Sequence, residues 1–174
     1  GRVTTYEYDD FGRPAIIMDA ASGPDAPPPG VTELGYDGRG NVTSRRTPDG
    51  TLTVMAYDGL GRVVSEVRDA EGLALETAYV YDLAGRLVHR IDPRGVETRF
   101  TYDAVGRLVE RVDDATGLAL VSTWAWDALG NQLEATDWSG NTTAYAWNHF
   151  NLLDAQTLDP GDEGALALTV SYTY

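Results

Sequence analysis

At 174 residues, 43% hydrophobic and 23% charged, the chain is neither disordered by composition nor apolar enough to live in a bilayer. Its 27 acidic residues face 13 basic ones, all arginine, and the net charge of −14 repels nucleic acid and anionic membranes. Without cysteine it forms no disulfide framework, thiolate metal site or thiol nucleophile.

The bend aromatic-Asp-x-x-Gly-Arg/Asn recurs along the chain. It begins with Tyr8-Asp9 and Gly12-Arg13, and the connector that follows, Gly23-Pro24-Asp25-Ala26-Pro27-Pro28-Pro29-Gly30, predicts an exposed, stiff, polyproline-like loop. The next copies are Tyr36-Asp37 with Gly40-Asn41, Tyr57-Asp58 with Gly61-Arg62, and Tyr81-Asp82 with Gly85-Arg86. Tyr102-Asp103 with Gly106-Arg107 and Trp126-Asp127 with Gly130-Asn131 follow, then a degenerate copy, Trp147-Asn148 with Asn151-Leu152, and an eighth start at Tyr174. The aromatics are spaced by 28, 21, 24, 21, 24, 21 and 27 residues, a repeat period of about 24. Short copies join their halves through Pro48-Asp49-Gly50, Asp92-Pro93-Arg94-Gly95 or Asp137-Trp138-Ser139-Gly140. Long copies carry Glu71–Leu75, Thr116–Leu120 or Glu163–Leu168, expected to be extra strand residues.

Aspartate suits the first position of a type I turn and glycine the left-handed position that follows, so each copy has hairpin chemistry at both ends. Segments between the bends, such as Glu97–Tyr102, alternate with period two and are rich in β-branched and aromatic residues, which predicts strands, about fifteen in all. The fold class is all-β, with tandem antiparallel β-hairpins and essentially no helix. In this register Asp103 faces Arg107, Tyr102 faces Leu108 and Phe100 faces Glu110, and Asp9–Arg13, Asp58–Arg62 and Asp82–Arg86 form exposed opposite-charge pairs. Period two also places Tyr6 and Tyr8, Tyr79 and Tyr81, Phe100 and Tyr102, Trp124 and Trp126, Tyr145 and Trp147, and Tyr172 and Tyr174 on one face. Leu34 and Met55 substitute in two copies. The expectation is two ladders of stacked rings across neighbouring hairpins, with small or polar residues such as Ala78, Thr101, Ala125 and Ala146 on the other face. A single layer buries neither face unaided, and repeats lean on neighbours, so the chain reads as an excerpt of a longer array.

Tyr81-Asp82-Leu83-Ala84-Gly85-Arg86-Leu87-Val88 and Tyr102-Asp103-Ala104-Val105-Gly106-Arg107-Leu108-Val109, each preceded by an aromatic two positions earlier, resemble the YD repeat of Rhs proteins, a likeness that covers essentially the whole of residues 1–174. The resemblance implies a curved, spiralling strip of hairpins winding into a hollow shell, as in bacterial Rhs polymorphic toxins, the cocoon subunits of insecticidal toxin complexes, and teneurins. In bacterial members it implies containment of a C-terminal toxin or effector domain. The partners are then flanking repeats, that enclosed domain, and secretion-system or immunity proteins, in an exported or cell-surface setting. The family's cleavage motif is not found, because Asp92-Pro93-Arg94-Gly95-Val96 reads as an inter-strand turn.

No catalytic, metal or cofactor residues are assigned. His89 and His149 occupy different repeat positions and read as ordinary strand and turn residues. The aspartates fall at turns, where side-chain capping accounts for them. Gly12, Gly40, Gly61, Gly85, Gly106 and Gly130 recur singly at bends, unlike a phosphate loop. Trp124, Trp126, Tyr145 and Trp147 are candidates for stacking on sugars in an alternative reading as an adhesion or carbohydrate-binding module.

Overall fold

Alternating sequence between Asp-x-x-Gly bends produces strands. A computed structural model describes residues 2–21, 30–159, 161 and 166–173, and among them every regular element is a strand and none is a helix. Among the described residues, no helix is long and apolar enough to cross a membrane. The chain divides into two units, residues 1–79 and 80–174.

The first unit holds β1 (Arg2–Tyr8), β2 (Pro14–Ala21), β3 (Gly30–Tyr36), β4 (Val42–Arg46), β5 (Leu52–Tyr57), β6 (Val63–Arg68) and most of β7 (Leu75–Tyr81). From β1 to β6, each pairs antiparallel with the strand that follows it. The second unit holds β8 (Leu87–Ile91), β9 (Glu97–Tyr102), β10 (Leu108–Asp113), β11 (Leu120–Trp126), β12 (Gln132–Thr136), β13 (Thr142–Trp147), β14 (Leu153–Asp159) and β15 (Leu168–Ser171), paired in the same way. The proline-rich connector lies mostly outside the described residues, as do part of the third long connector and Tyr174.

The motif bend is a type I turn closed by a left-handed glycine. At Asp103, the Gly106 amide donates to the Asp103 carbonyl (3.1 Å), the Asp103 amide donates to the Arg107 carbonyl (2.9 Å), and Gly106 has φ 94°. In the degenerate copy Asn151 takes the left-handed position at φ 64°, the substitution least costly after glycine.

The register departs from expectation one residue beyond each bend. Tyr102 faces Leu108, but Phe100 faces Arg111 rather than Glu110, because Val109 is an extra residue in the returning strand. Ala15, Thr43, Val64, Leu133 and Asp154 are skipped at the same place in other hairpins. A bulge built from such residues carries no glycine and leaves no mark in composition.

In the two long copies described, Leu75 and Leu120 open strands as expected, whereas Glu71–Ala74 and Thr116–Ala119 lie in a turn. In the Asp69–Ala74 loop, Gly72 and Ala74 donate to the Asp69 carbonyl (2.9 and 2.8 Å), and the Leu73 amide donates to the Asp69 carboxylate (2.9 Å). Asp114–Ala119 repeats the pattern. Asp69, Ala74, Asp114 and Ala119 all have φ near 50°, a left-handed conformation that nothing but glycine normally announces.

No described hydrophobic side chain is fully buried. A single layer supplies lateral neighbours but nothing above or below, so the ring face is half-covered and the opposite face, with Ala56, Thr101, Ala125 and Ala146, lies open. Among the described residues, stacked ladders of rings do not form within either unit. The described ring pairs are Tyr6 with Tyr8 in one strand (6.4 Å) and His149 with Phe150 (3.8 Å). A returning strand separates successive aromatic strands, placing their rings roughly 10 Å apart, beyond stacking reach.

Candidate functional site

The motif residues converge on a row of bends. Each aspartate first serves its own turn. Asp9 Oδ1 accepts the Phe11 and Arg13 amides (both 2.9 Å), and Oδ2 accepts Arg13 Nε (2.7 Å). Asp58 with Arg62, Asp82 with Arg86, and Asp103 with Arg107 repeat this two-point clasp. Where asparagine replaces arginine, Asn41 and Asn131 donate through Nδ2 to Asp37 and Asp127 (2.8 Å each). Asn148 keeps only the amide caps, accepting from Phe150 and Leu152.

These hydrogen bonds hold the carboxyls below their ordinary range. At Asp9 the Arg13 side chain is the main cause, and at Asp58, Asp82 and Asp103 it is the backbone amide of the following arginine. At Asp127 desolvation opposes the shift, and the bonds from Asn131 prevail. At the opposite edge the Ser139 and Asn141 side chains lower Asp137 to about 2.

The Asp–Arg pairs are half-buried rather than exposed: in Asp9–Arg13 the side chains retain 22% and 27% of their exposure. The reason is a contact to the next copy that the sequence reading lacked. Arg13 lies over the Tyr36 ring (4.4 Å to its centroid) and donates through Nη1 to the Asp37 carbonyl (3.1 Å). Arg86 stands over Tyr102 (5.0 Å) and donates to the Asp103 carbonyl (3.1 Å), and Arg107 does the same with Trp126 and the Asp127 carbonyl. In the Asn41 copy the turn residue Arg39 reaches the Gly59 carbonyl instead (2.7 Å).

The aromatic returns a bond. Tyr36 Oη donates to the Pro14 carbonyl (2.7 Å), Tyr57 Oη to Val42 (2.7 Å) and Tyr102 Oη to Leu87 (2.9 Å). Trp126 Nε1 donates to Leu108 and Trp147 Nε1 to Gln132, both at 2.8 Å. The acceptor is always the residue after the Arg or Asn of the preceding copy. The sequence held a signal for this: the motif aromatic is always Tyr or Trp and never Phe, whereas the position two before it admits Phe100, Leu34 and Met55. A ring chosen for area alone has no need of a polar tip.

Of the four candidate stacking residues, Trp126 and Trp147 spend their indole N–H groups in this way. Trp124 instead borders a shallow depression of about 360 Å³ with Ser122, Thr136, Asn141 and Thr143, while Tyr145 does not line it. His149 packs beside Phe150 at a bend. His89 Nδ1 meets Glu97 Oε1 at 2.5 Å, and Arg99 Nη2 donates to Glu97 Oε2 at 2.9 Å. Glu97 is thereby a buried carboxylate held below its usual pKa, first by Arg99 and, against desolvation, by His89. No group of three metal-ligating side chains occurs among the described residues.

Comparison with known proteins matches the RHS Repeat family over residues 36–74 and 81–119. No curated protein matches the sequence. Among solved structures, the Photorhabdus luminescens Tc holotoxin pore superposes with a TM-score of 0.76 at 15% identity, covering 90% of this chain and 9% of that chain. A TcdB2-TccC3-Cdc42 structure gives 0.73 at 14% identity over 87% and 9%, and TcdB2-TccC3-TEV gives 0.70 at 16% over 98% and 11%. At such identities the likeness is one of fold, and this chain spans about a tenth of the chains it matches. Residues 36–74 and 81–119 thus match RHS repeats, also called YD repeats, and each of the two stretches holds two of the clasped bends described above.

Proposed function

We propose that this chain forms part of the wall of an RHS-type β-shell that encloses a C-terminal toxin or effector domain for delivery. The observation that carries the reading is the double attachment between successive hairpins: a strand ladder along the length, and near the tip a Tyr or Trp bond back to the preceding hairpin, joined at Arg13, Arg86 and Arg107 by a guanidinium on the next ring. Containment needs a continuous wall, and such stitching leaves no open seam between successive hairpins of a unit. The fold likeness to TccC3-containing structures supports the reading. In this proposal all 174 residues are one array, about seven copies and the start of an eighth, continued by further repeats in a longer exported protein. Its partners are those repeats, the enclosed domain, and secretion-system or immunity proteins. Its contribution is structural and not enzymatic. Electron microscopy of the full-length protein tests this: a hollow body enclosing density is expected, and a solid extended rod would refute it.

A second reading, glycan binding, is favoured by one observation. Trp124 borders its depression among hydroxyl and amide groups while Trp126 and Trp147 are committed to the wall. Titration with neutral monosaccharides tests it. Saturable quenching of tryptophan fluorescence that Trp124→Ala abolishes, with the fold intact by circular dichroism, would support it; no binding at millimolar sugar would dismiss it.

A further inference from the structure

Thirteen arginines are set against 27 acidic residues, so an arginine without a carboxylate partner is an exception in this chain. Arg13, Arg62, Arg86 and Arg107 clasp the aspartates of their own bends. Arg46, Arg94, Arg99 and Arg111 pair with Glu71, Asp92, Glu97 and Asp113. Among the described residues Arg45 and Arg68, like Arg90, make neither an ion pair nor a side-chain hydrogen bond. Arg45 and Arg68 stand apart from Arg90 because they share a row: Arg45 on β4 faces Thr53 on β5, and Thr53 faces Arg68 on β6. Leu34 and Leu75 continue the row on either side, so no carboxylate lies in it. Residues paired across a ladder point to the same face, and two strands separate the arginine backbones by roughly 10 Å, within reach of two long side chains leaning together. Both arginines border one depression of about 400 Å³, confined to the first unit.

We infer that this depression binds a small organic phosphate or sulfate monoester, its oxyanion held between the Arg45 and Arg68 guanidiniums over the Thr53 hydroxyl. The uncommitted groups of the row are donors: two planar guanidinium forks and a hydroxyl that has no partner among the described residues. An oxyanion rich in acceptors and bearing negative charge is the group that such forks match, through paired, charge-assisted hydrogen bonds. Two carboxylates also border the depression. Asp49 is turned to its own bend, where it accepts the Thr47 hydroxyl (2.6 Å) and the Thr51 amide (3.1 Å). Glu66 faces Met55 across the ladder, so two free guanidiniums stand against one free carboxylate, a local surplus of positive charge in a chain of net charge −14. The volume lies at the small end of the range for organic ligands, about 300–1,000 Å³, and exceeds what one oxyanion fills. Met55, half-buried beside Thr53 on the same face, supplies the apolar surface for the organic part.

Isothermal titration calorimetry of the 174-residue chain at low ionic strength tests this, independently of whether the parent protein encloses a cargo. The probes are phenyl phosphate, phenyl sulfate and inorganic phosphate, titrated separately. Saturable binding of one phenyl ester is expected, tighter than that of inorganic phosphate, and the tighter ester names the group the site takes. Arg45→Gln and Arg68→Gln should each weaken it about tenfold or more, since each removes charge-assisted hydrogen bonds. Both residues are exposed, and circular dichroism checks that the variants stay folded. Glu66→Gln, which adds no donor fork, should tighten binding about two- to fivefold by removing the nearby negative charge. Arg90→Gln, in the other unit, should leave it unchanged. No binding of either ester at 10-fold millimolar excess, binding indifferent to Arg45 and Arg68, or an equal loss in Arg90→Gln would overturn the assignment; the last would reduce it to general attraction of anions. Inorganic phosphate binding as tightly as both esters would overturn the place given to Met55 and the organic part.

Discussion

Tyr102→Phe removes one oxygen from the array and leaves the ring, its area and the Arg86 guanidinium above it in place. The lost atom is the donor to the Leu87 carbonyl at 2.9 Å, in a half-buried position. Removing one neutral hydrogen bond of this kind costs about 0.5–1.5 kcal/mol. Tyr145→Phe is the internal control. Tyr145 sits on the same face two residues before a motif aromatic, at the position that Phe100 fills in another copy, and its hydroxyl makes no comparable bond to the preceding hairpin; its loss should stay within about 0.5 kcal/mol. Tyr36→Phe, Tyr57→Phe and Tyr102→Phe together should approach about 3 kcal/mol if the stitches act independently, a large part of the stability of a typical domain. Urea unfolding followed by far-ultraviolet circular dichroism gives the differences directly. Equal costs for Tyr102→Phe and Tyr145→Phe, or no cost for the triple variant, would show that the polar tips do not bind successive hairpins together.

Three further outcomes follow from the turns. Gly72→Ala and Gly117→Ala should each destabilise by about 1–3 kcal/mol in the same assay, because a Cβ would stand 2.5 Å from the Asp69 or Asp114 carboxylate. Ala74→Gly and Ala119→Gly should instead stabilise by up to about 1 kcal/mol, relieving a left-handed alanine. The lowered carboxyls make stability complete above their ordinary value of 3.8 and lost as pH falls through the folded values, so circular dichroism should be flat from neutrality to about pH 4 and decline below it. Asp137→Asn should reduce the part of that decline nearest pH 2, and unfolding already at pH 5 to 6 would contradict the scheme.

Hairpins were legible in the residues because their causes are local. An aspartate whose carboxylate caps the amides two and four residues on, and a glycine free to turn left-handed, act within five positions, and Asp103–Arg107 shows both. Period-two alternation then fixed which residues share a face. The bulges at Val109 and its equivalents were invisible because any side chain can occupy them. Of the residues expected as strand, Leu75 and Leu120 are strand, but Glu71–Ala74 and Thr116–Ala119 are turn, which their composition hides because the left-handed positions of these turns are Asp and Ala. The candidate site was half-legible: its members were named, but Arg86 was paired only with Asp82, when its guanidinium also serves Tyr102 and Asp103.

Local chemistry therefore determined the bends, the strands and the two unlike faces of the sheet. The folded arrangement alone decided what lies between copies. Residues some twenty positions apart meet only after two strands have paired, and at a separation of two strands rings are too distant to stack while a long guanidinium can span the gap. That distance turned an expected ladder of rings into contacts of ring with arginine.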